Sequence, residues 1–508
     1  MFLYSAASLA FAAPSQVHLA LAGAEDVMAV SWKTDRAVAA PTVQWRAPGA
    51  STTSGTAAAL DTRTYLFHGT TSGYYHHAEM AALRPDTDME YRVGSDSSAS
   101  ADDGWTAWLP FRSARAAADH SGMSMIFTGD FGFGGAGPPA NEGQCTADAW
   151  AALAAGGGSS GGGGAGGRRA PDLVWVSGDI AYANMHGAKD FEATWDDWFE
   201  RLQPTFSRIP AMVSPGNHET YVPGIIGAGG GSSSSTTTST SISTSTTGVV
   251  APPDGWLTPG AAAFDADALE AGADTSWNFT AFDARFRMPS GRGSGGARSM
   301  WYSVDVGGVH IVSIDTETDF PGAAEAFMSG WGDQLAWLRA DLAAFRASSP
   351  DGWLVAIGHK PMYSSAPGYV GSAETLNLLA TFEPLFAEHG VDLYLAGHQH
   401  GYERSAPVVR QQPAPPSAAG TRGNGTVHIV AAVPGGGCGI TADWANASNF
   451  TVSQWPTDGS PWNDRHDGAE EEASLGYGLL DATPTELRWR FVLSASGRLV
   501  DAYNITRQ

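Results

Sequence analysis

Five short apolar runs in this chain each end in a glycine followed at once by an oxygen or imidazole donor. That recurrence narrows the fold more than any other feature. The stretches are Gly129 Asp130 Phe131 Gly132, Gly178 Asp179 Ile180 Ala181 Tyr182, Gly216 Asn217 His218 Glu219, Gly358 His359 and Gly397 His398 Gln399 His400. The runs before them, near residues 123–128, 173–176, 209–213, 353–357 and 391–396, have the length and continuous apolarity of buried strands. In open α/β sheets, ligands bind beyond the carboxyl ends of such strands. Taken singly each stretch is weak, since Gly-Asp after a strand is a common turn and a strand-end histidine is more often a hydrogen-bonded loop residue. Five in order, each at the same end of a predicted strand, predict one cluster. Asp130, Asp179, Tyr182, Asn217, His359, His398 and His400 make seven donors, enough for two metals if one carboxylate bridges them.

The remaining pattern supplies a frame for that cluster. Residues 16–112 read as a small all-β sandwich of short aromatic or β-branched runs separated by turns. Tyr91, soon after residues 83–87, resembles the tyrosine corner of a fibronectin type III module. His76 and His77 are adjacent and would face opposite sides of a strand, so they are not expected to share a metal. After residue 115 strands alternate with helices predicted at 146–155, 190–206, 334–345 and 376–388. A hairpin is predicted over 302–314. In the second helix Phe191, Trp195, Trp198 and Leu202 share a face. This is the rhythm of helices covering a mixed-sheet sandwich, and residues from 424 onward are β-rich again. Two low-complexity inserts, 156–167 and 227–248, are nearly all Gly, Ser and Thr and are expected to be flexible surface loops.

The order of motifs resembles the purple acid phosphatases within the calcineurin-like metallophosphoesterases. Similarity extends to Phe286 Arg287 Met288 Pro289 Ser290, to residues 302–305 and 315–321, and to Gly401 Tyr402 Glu403 Arg404. The resemblance implies an α+β/α/β fold: a fibronectin type III-like β-sandwich (14–115), then a four-layer α/β/β/α metallophosphoesterase sandwich (116–508). It implies that Asp130, Tyr182 and His400 bind a ferric ion, that Asp179 bridges, and that Asn217, His359 and His398 bind a divalent zinc, manganese or iron. The donor types agree, since phenolate and carboxylates suit hard trivalent iron while imidazole and an amide oxygen suit zinc or manganese. The expected activity is hydrolysis of small phosphate monoesters by in-line attack of metal-bound hydroxide. Asn217 and His218 would contact the phosphate, and His218 would protonate the leaving alkoxide. Relatives often carry further histidines soon after the His359 motif. Here none occurs before His389, which leaves Tyr369 or His186 as stand-ins and Lys360 expected to be solvated. A phosphodiesterase or nucleotide pyrophosphatase, and a catalytically silent cell-wall or matrix protein, are the competing readings.

Charge sharpens the choice of partner. A formal net charge of -24 argues against nucleic acid. An anionic substrate would then rely on the metals, which with an ionised Tyr182 would leave the site about one positive charge. Residues 1–13 read as a short signal peptide. Sequons begin at Asn278, Asn424, Asn446, Asn449 and Asn504, an excess that points to a secreted, extracellular or cell-wall glycoprotein. No run has the roughly 18 apolar residues that crossing a bilayer needs. Cys145 and Cys438 are the two cysteines; a disulfide between them and a pair of thiols both remain open, as does homo-oligomerisation.

Overall fold

The computed structural model describes residues 14–67, 70–95, 104–133, 143–156, 169–185, 190–220, 278–289, 299–366, 369, 371–414, 420–432, 451–455 and 475–507. Residues 1–13, most of the first insert, the whole of the second, His186, Cys438, Asn446 and Asn449 lie outside them.

The amino-terminal unit is a sandwich of two four-stranded antiparallel sheets. One has the order β1 (Ser15–Leu21), β2 (Met28–Thr34), β8 (Tyr74–Met80), β5 (Asp61–Arg63). The other runs β10 (Leu109–Arg112), β9 (Asp88–Ser95), β3 (Pro41–Arg46), β4 (Gly55–Ala58). A two-stranded ribbon, β6 (Leu66–Phe67) with β7 (Thr70–Thr71), is appended. His76 and His77 are both fully buried, but on different partners. His76 bonds Thr34 and Thr62, while His77 bonds Ser31 and the Ala284 carbonyl. The tyrosine-corner expectation is corrected at Tyr91. Its buried hydroxyl donates 2.9 Å to the carbonyl of Ser207, outside the sandwich, so it ties the two units together instead of locking its own loop.

The second unit is built on two facing sheets. The first has the order β13 (Ala211–Ser214), β12 (Leu173–Ser177), β11 (Met123–Thr128), β22 (Gly476–Ala482), β23 (Glu486–Leu493), β24 (Leu499–Thr506). The second runs β14 (Tyr302–Val306), β15 (Val309–Ser313), β16 (Trp353–Ile357), β17 (Leu393–Ala396), β20 (Thr426–Ala431), β18 (Tyr402–Val409), β19 (Gln412–Pro413), with β21 (Thr451–Trp455) on β18. Strands β11, β12 and β13 are mutually parallel, as are β15, β16, β17 and β20. Period-two alternation separates the layers. Val355, Ile357, Leu393 and Leu395 face the other sheet, while Leu354, Ala356 and Tyr394 face helices. Those helices are α4 (Gln334–Ser348), started by Asp333 accepting from Ala336 N–H, and α5 (Ala373–His389), started by Ser372 and stopped by left-handed Gly390.

On the other side lie α1 (Gln144–Ala154) and α2 (Phe191–Phe206), with the short α3 (Thr280–Arg285) close by. The predicted face of α2 is buried throughout, extended by Phe199 and Phe206. The sandwich docks on its polar flank, where Lys33 Nζ meets Asp196 at 2.6 Å and Gln203 accepts from Val17 N–H at 2.8 Å. No helix among the described residues is long and apolar enough to cross a membrane.

The hairpin edge is anchored by an ion triad. His310 on β15 lies 2.8 Å from both Asp305 on β14 and Asp341 on α4, with Phe345 stacked on its ring. Burial works against its charge, but the two aspartates hold it up to about 9. A folded-state value above the unfolded one stabilises fully below about pH 6.5, and that contribution is lost as pH rises through about 9. Asp341→Asn is expected to cost about 2 kcal/mol near pH 6, discounted because Asp305 is half exposed. Thermal unfolding at pH 6 and pH 10 checks this: the gap between variant and parent should shrink at the higher pH, and a gap independent of pH counts against it.

Candidate metal centre

Because the parallel strands of both sheets deliver their carboxyl ends to one edge, the five glycine-led stretches meet there. Asp130 follows β11, Asp179 follows β12, Asn217 follows β13, His359 follows β16 and His398 follows β17. Their approach is closer than any side chain would permit. A Cβ on Gly216 would sit 2.3 Å from Asp179 N, and one on Gly397 would sit 2.3 Å from Asp130 Oδ2. The turns themselves are sharp. Asp130, Asp179, Tyr182 and His398 all adopt left-handed backbone, with φ of 61°, 49°, 55° and 67°. Non-glycine residues pay for that conformation, and it clusters at functional sites.

All seven predicted donors are brought together. On one side the Tyr182 hydroxyl lies 2.9 Å from Asp130 Oδ1 and 2.8 Å from His400 Nε2, and His400 Nε2 lies 3.3 Å from Asp130 Oδ1. On the other, Asn217 Oδ1 lies 3.1 Å from His359 Nε2 and 3.0 Å from His398 Nδ1, which are 3.3 Å apart. Asp179 Oδ2 reaches both groups, at 3.5 Å from the Tyr182 hydroxyl and 3.2 Å from His359 Nε2. The backbone N–H of His398 donates to Asp130 Oδ2 at 2.7 Å, joining the two halves.

Proton counting shows what this arrangement accepts. His359 Nδ1 faces the Ser177 carbonyl at 2.8 Å, which can only accept, so Nδ1 carries the proton. In the neutral ring Nε2 is then a lone pair aimed at two other acceptors, Asp179 Oδ2 and Asn217 Oδ1. A cation in their midst relieves that conflict. A second proton on His359 does the same, and Asp179, overcoming the effect of burial, raises the imidazole to about 10. Asp179 is correspondingly held well below the usual carboxylate range despite its burial, chiefly by His359 and His218. His398 is pushed well below the usual histidine range, by burial first and by His359 second. Asp179, His359 and His398 present ligand atoms all within 4.8 Å of one another. Lone pairs converging from carboxylate, phenol, amide and imidazole groups fit a pair of metal ions.

His218 sits beside the donors and not among them. Its ring packs 4.4 Å from the Tyr182 ring, its Nε2 lies 3.8 Å from Asp179 Oδ2, and its side chain keeps 19% exposure. Burial lowers its pKa, with Asp179 opposing.

Two residues that carry the geometry had no role in the sequence reading. Asn184 Oδ1 meets His218 Nδ1 at 2.8 Å. Glu219 is 3% exposed and accepts from three backbone N–H groups, those of Asp179, Ile180 and Gly216, at 2.8 to 2.9 Å. It clamps the loop after β12 to the loop after β13. The signal for it was local: a carboxylate two residues beyond Asn217, able to reach back to the start of its own short helical turn at Asn217–Glu219.

Three expectations are corrected. Lys360 is not solvated: it is 2% exposed and ion-paired to Glu317 at 2.7 Å, Glu325 at 3.3 Å and Glu374, so it braces the loop behind His359. Tyr369 packs 5.4 Å from the His398 ring, and its hydroxyl donates to the Pro361 carbonyl, leaving no proton for a phosphate. Asn278 is 4% exposed with a left-handed backbone, which leaves no room for a glycan. Of the other sequons, Asn504 is exposed on β24 and Asn424 is half-buried, its amide donating to the Thr421 carbonyl.

The stretches 315–321 and 401–404 act as struts. Asp315 accepts from Glu317 and Thr318, Glu403 from Ser365, and Asp501 from both Tyr402 and Arg404.

Comparison with known proteins gives the family and the fold. Residues 14–113 match the family model for the N-terminal domain of purple acid phosphatase, and residues 123–402 match that for calcineurin-like phosphoesterase. An acid phosphatase of Aspergillus ficuum is 32% identical over 252 residues, 43% of this chain and 37% of that protein, so the chain spans little more than a third of its length. The probable purple acid phosphatase 20 of Arabidopsis thaliana is 25% identical over 400 residues, 78% of this chain and 70% of that one. The structure of a purple acid phosphatase from yellow lupin seeds superposes with a TM-score of 0.65 at 20% identity, covering 98% of this chain and 75% of the other, which establishes a common fold. The family implies a dinuclear metal centre. This chain belongs to the calcineurin-like phosphoesterases and carries at its amino-terminal side the N-terminal domain of the purple acid phosphatases.

Proposed function

We propose that the protein is a secreted acid phosphatase that hydrolyses small phosphate monoesters at a ferric–divalent metal pair. The observation that carries this reading is the position of the Asp179 carboxylate, within reach of a Tyr182–Asp130–His400 group on one side and an Asn217–His359–His398 group on the other. A phenol beside carboxylate and imidazole suits ferric iron, and an amide oxygen with two imidazoles suits zinc, manganese or ferrous iron. When bound, the pair supplies Lewis acidity toward the phosphoryl oxygens and lowers the pKa of water.

The chain's own residues would do the rest. The Ser177 carbonyl fixes the tautomer of His359 and so aims its Nε2 inward. Asn184 Oδ1 accepts from His218 Nδ1–H, which turns the opposite nitrogen toward the site. That nitrogen, once protonated, can hold a phosphate oxygen and give its proton to the departing alkoxide. In a chain of net charge -24, anion capture then depends on the metals and His218. The exposed sequon at Asn504 supports passage through a secretory route.

Metal analysis and a visible spectrum of protein purified from a secretory host test the reading. About one iron and one divalent ion per chain with a purple charge-transfer band are expected, together with faster turnover of p-nitrophenyl phosphate than of the bis ester. Comparable diester turnover would reassign the ester class, and fully metallated protein inert to every ester would overturn the enzymatic reading.

Tyr182→Phe is expected to bleach the visible band while iron is still detected, because the phenolate is the proposed source of the colour. His218→Ala should slow esters of poor leaving groups by about 10² to 10³ and those of good leaving groups far less. Equal loss for both would remove the acid role. Glu219→Gln replaces one acceptor with an amide that faces a backbone N–H, so the clamp should open. Metal content is expected to fall below two per chain while circular dichroism stays that of the parent, and retention of both metals would show the clamp to be dispensable.

A further inference from the structure

A second cationic feature lies at the opposite edge of the same sheet. There the amino ends of β16, β17 and β20 border a cavity of about 940 Å³. Three guanidiniums line it: Arg346 on α4, Arg422 in the loop before β20, and Arg507 just after β24. Strands of five residues span about 16 Å, so the cavity is well separated from the metal loops at their other ends.

The charges there are poorly matched. Arg346 spends its donors on neutral carbonyls, those of His389, Gly352 and Gly390. Arg422 pairs with the one buried carboxylate, Asp392, at 2.9 Å, and otherwise donates to the carbonyls of Asp351 and Gly352. The Asp351 carboxylate is 4.0 Å from Arg422 and 92% exposed, and Glu388 is exposed at the rim. Arg507 has no hydrogen bond or ion pair from its side chain to any described residue, and its Nε is buried without a partner. It lies over the Trp353 ring at 4.3 Å, and Arg422 flanks the same ring at 5.4 Å. Bonds to carbonyls orient a guanidinium but leave its charge in place, so three positive charges face one committed carboxylate on the cavity floor.

We infer that this cavity is a second oxyanion site, taking a tetrahedral dianion of the inorganic phosphate class on Arg507 with Arg422 beside it. The pKa directions agree. Arg346 and Arg507 are both lowered, by burial first, with Arg422 repelling each of them and Asp392 and Asp351 opposing. A forked guanidinium with an unused donor, lying over an indole ring, is preorganised for such an anion. Arg422 and Arg507, the two guanidiniums that would hold the anion, lie beyond the family-matched residues 123–402, while Arg346 and Asp392 lie within them. The inference stands apart from the proposed chemistry.

Isothermal titration of the full metal-loaded chain with sodium phosphate, at fixed pH and ionic strength, tests it. Two binding events per chain are expected. Arg507→Met keeps apolar cover on Trp353 and should weaken the remote event at least about tenfold while leaving turnover of a small monoester unchanged. Arg507→Lys retains the charge without the fork and should fall between. His398→Ala, in the metal centre, should remove the other event and leave the remote one. A single event per chain that survives Arg507→Met overturns the inference. So does a remote event seen with citrate and absent with phosphate.

Discussion

Everything at the functional edge depends on acceptors being forced together with too few protons to separate them. Asp179, Asn217, His359 and His398 aim oxygen and nitrogen lone pairs at a common volume, and the Ser177 carbonyl removes the one tautomer of His359 that could donate there. Such a set is repulsive unless a cation or extra protons share it. The fold supplies the force through buried backbone bonds. Glu219 clamps two loops with three N–H bonds, and Asp130 accepts from the His398 N–H. The two sheets thus act as the jaws of a rigid frame whose content is fixed by charge.

The same constraint explains why strain gathers where it does. Four of the seven donors sit in left-handed backbone, each at a cost on the order of 1 kcal/mol or more. A strand that ran on in extended form would carry its donor past the edge; the left-handed turn folds it back over the sheet within two residues. Glycine at the adjoining position lets the neighbouring loop close to van der Waals contact, as at Gly216 against Asp179 and Gly397 against Asp130. Lys360, buried among three glutamates directly after His359, supports the loop from behind with paired charges instead of apolar bulk.

Much of this was legible before any coordinates. The five strand ends could be found because parallel strands in a two-sided sheet are continuous apolar runs, and a glycine with a polar donor marks each exit. The strand 123–128, the strand 353–357 and the buried face of α2 coincide with their predicted positions. What escaped notice was set by tertiary contact. Strands β4 and β5 are three or four residues of Gly, Thr, Ala, Asp and Arg, with no apolar run to announce them. Lys360 looked solvated because its glutamates lie 14 to 43 positions away in the chain. Asn278 has a proper sequon, yet its neighbours in space, not in sequence, decide its burial.

The sandwich belongs to this logic as well. Its strand β1 lies along α2, where Gln16 and Lys33 share Asp196 and Gln203 holds the Val17 N–H. The Tyr91 hydroxyl caps the far end of the helix at the Ser207 carbonyl. Helix α2 in turn donates from Trp198 to the carbonyl of Phe131, one residue beyond Asp130. The helix that receives the sandwich is therefore bonded to the first of the metal-site loops. Parting the sandwich from the second unit would expose Val17 and Leu19 on one side and the aromatic face around Phe199 and Phe286 on the other to water, because one hydrophobic core runs through both units. Two sequence-distinct units joined by a common core and by hydrogen bonds at both ends of one helix have to fold as partners, and the position of Asp130 is part of what they hold in common.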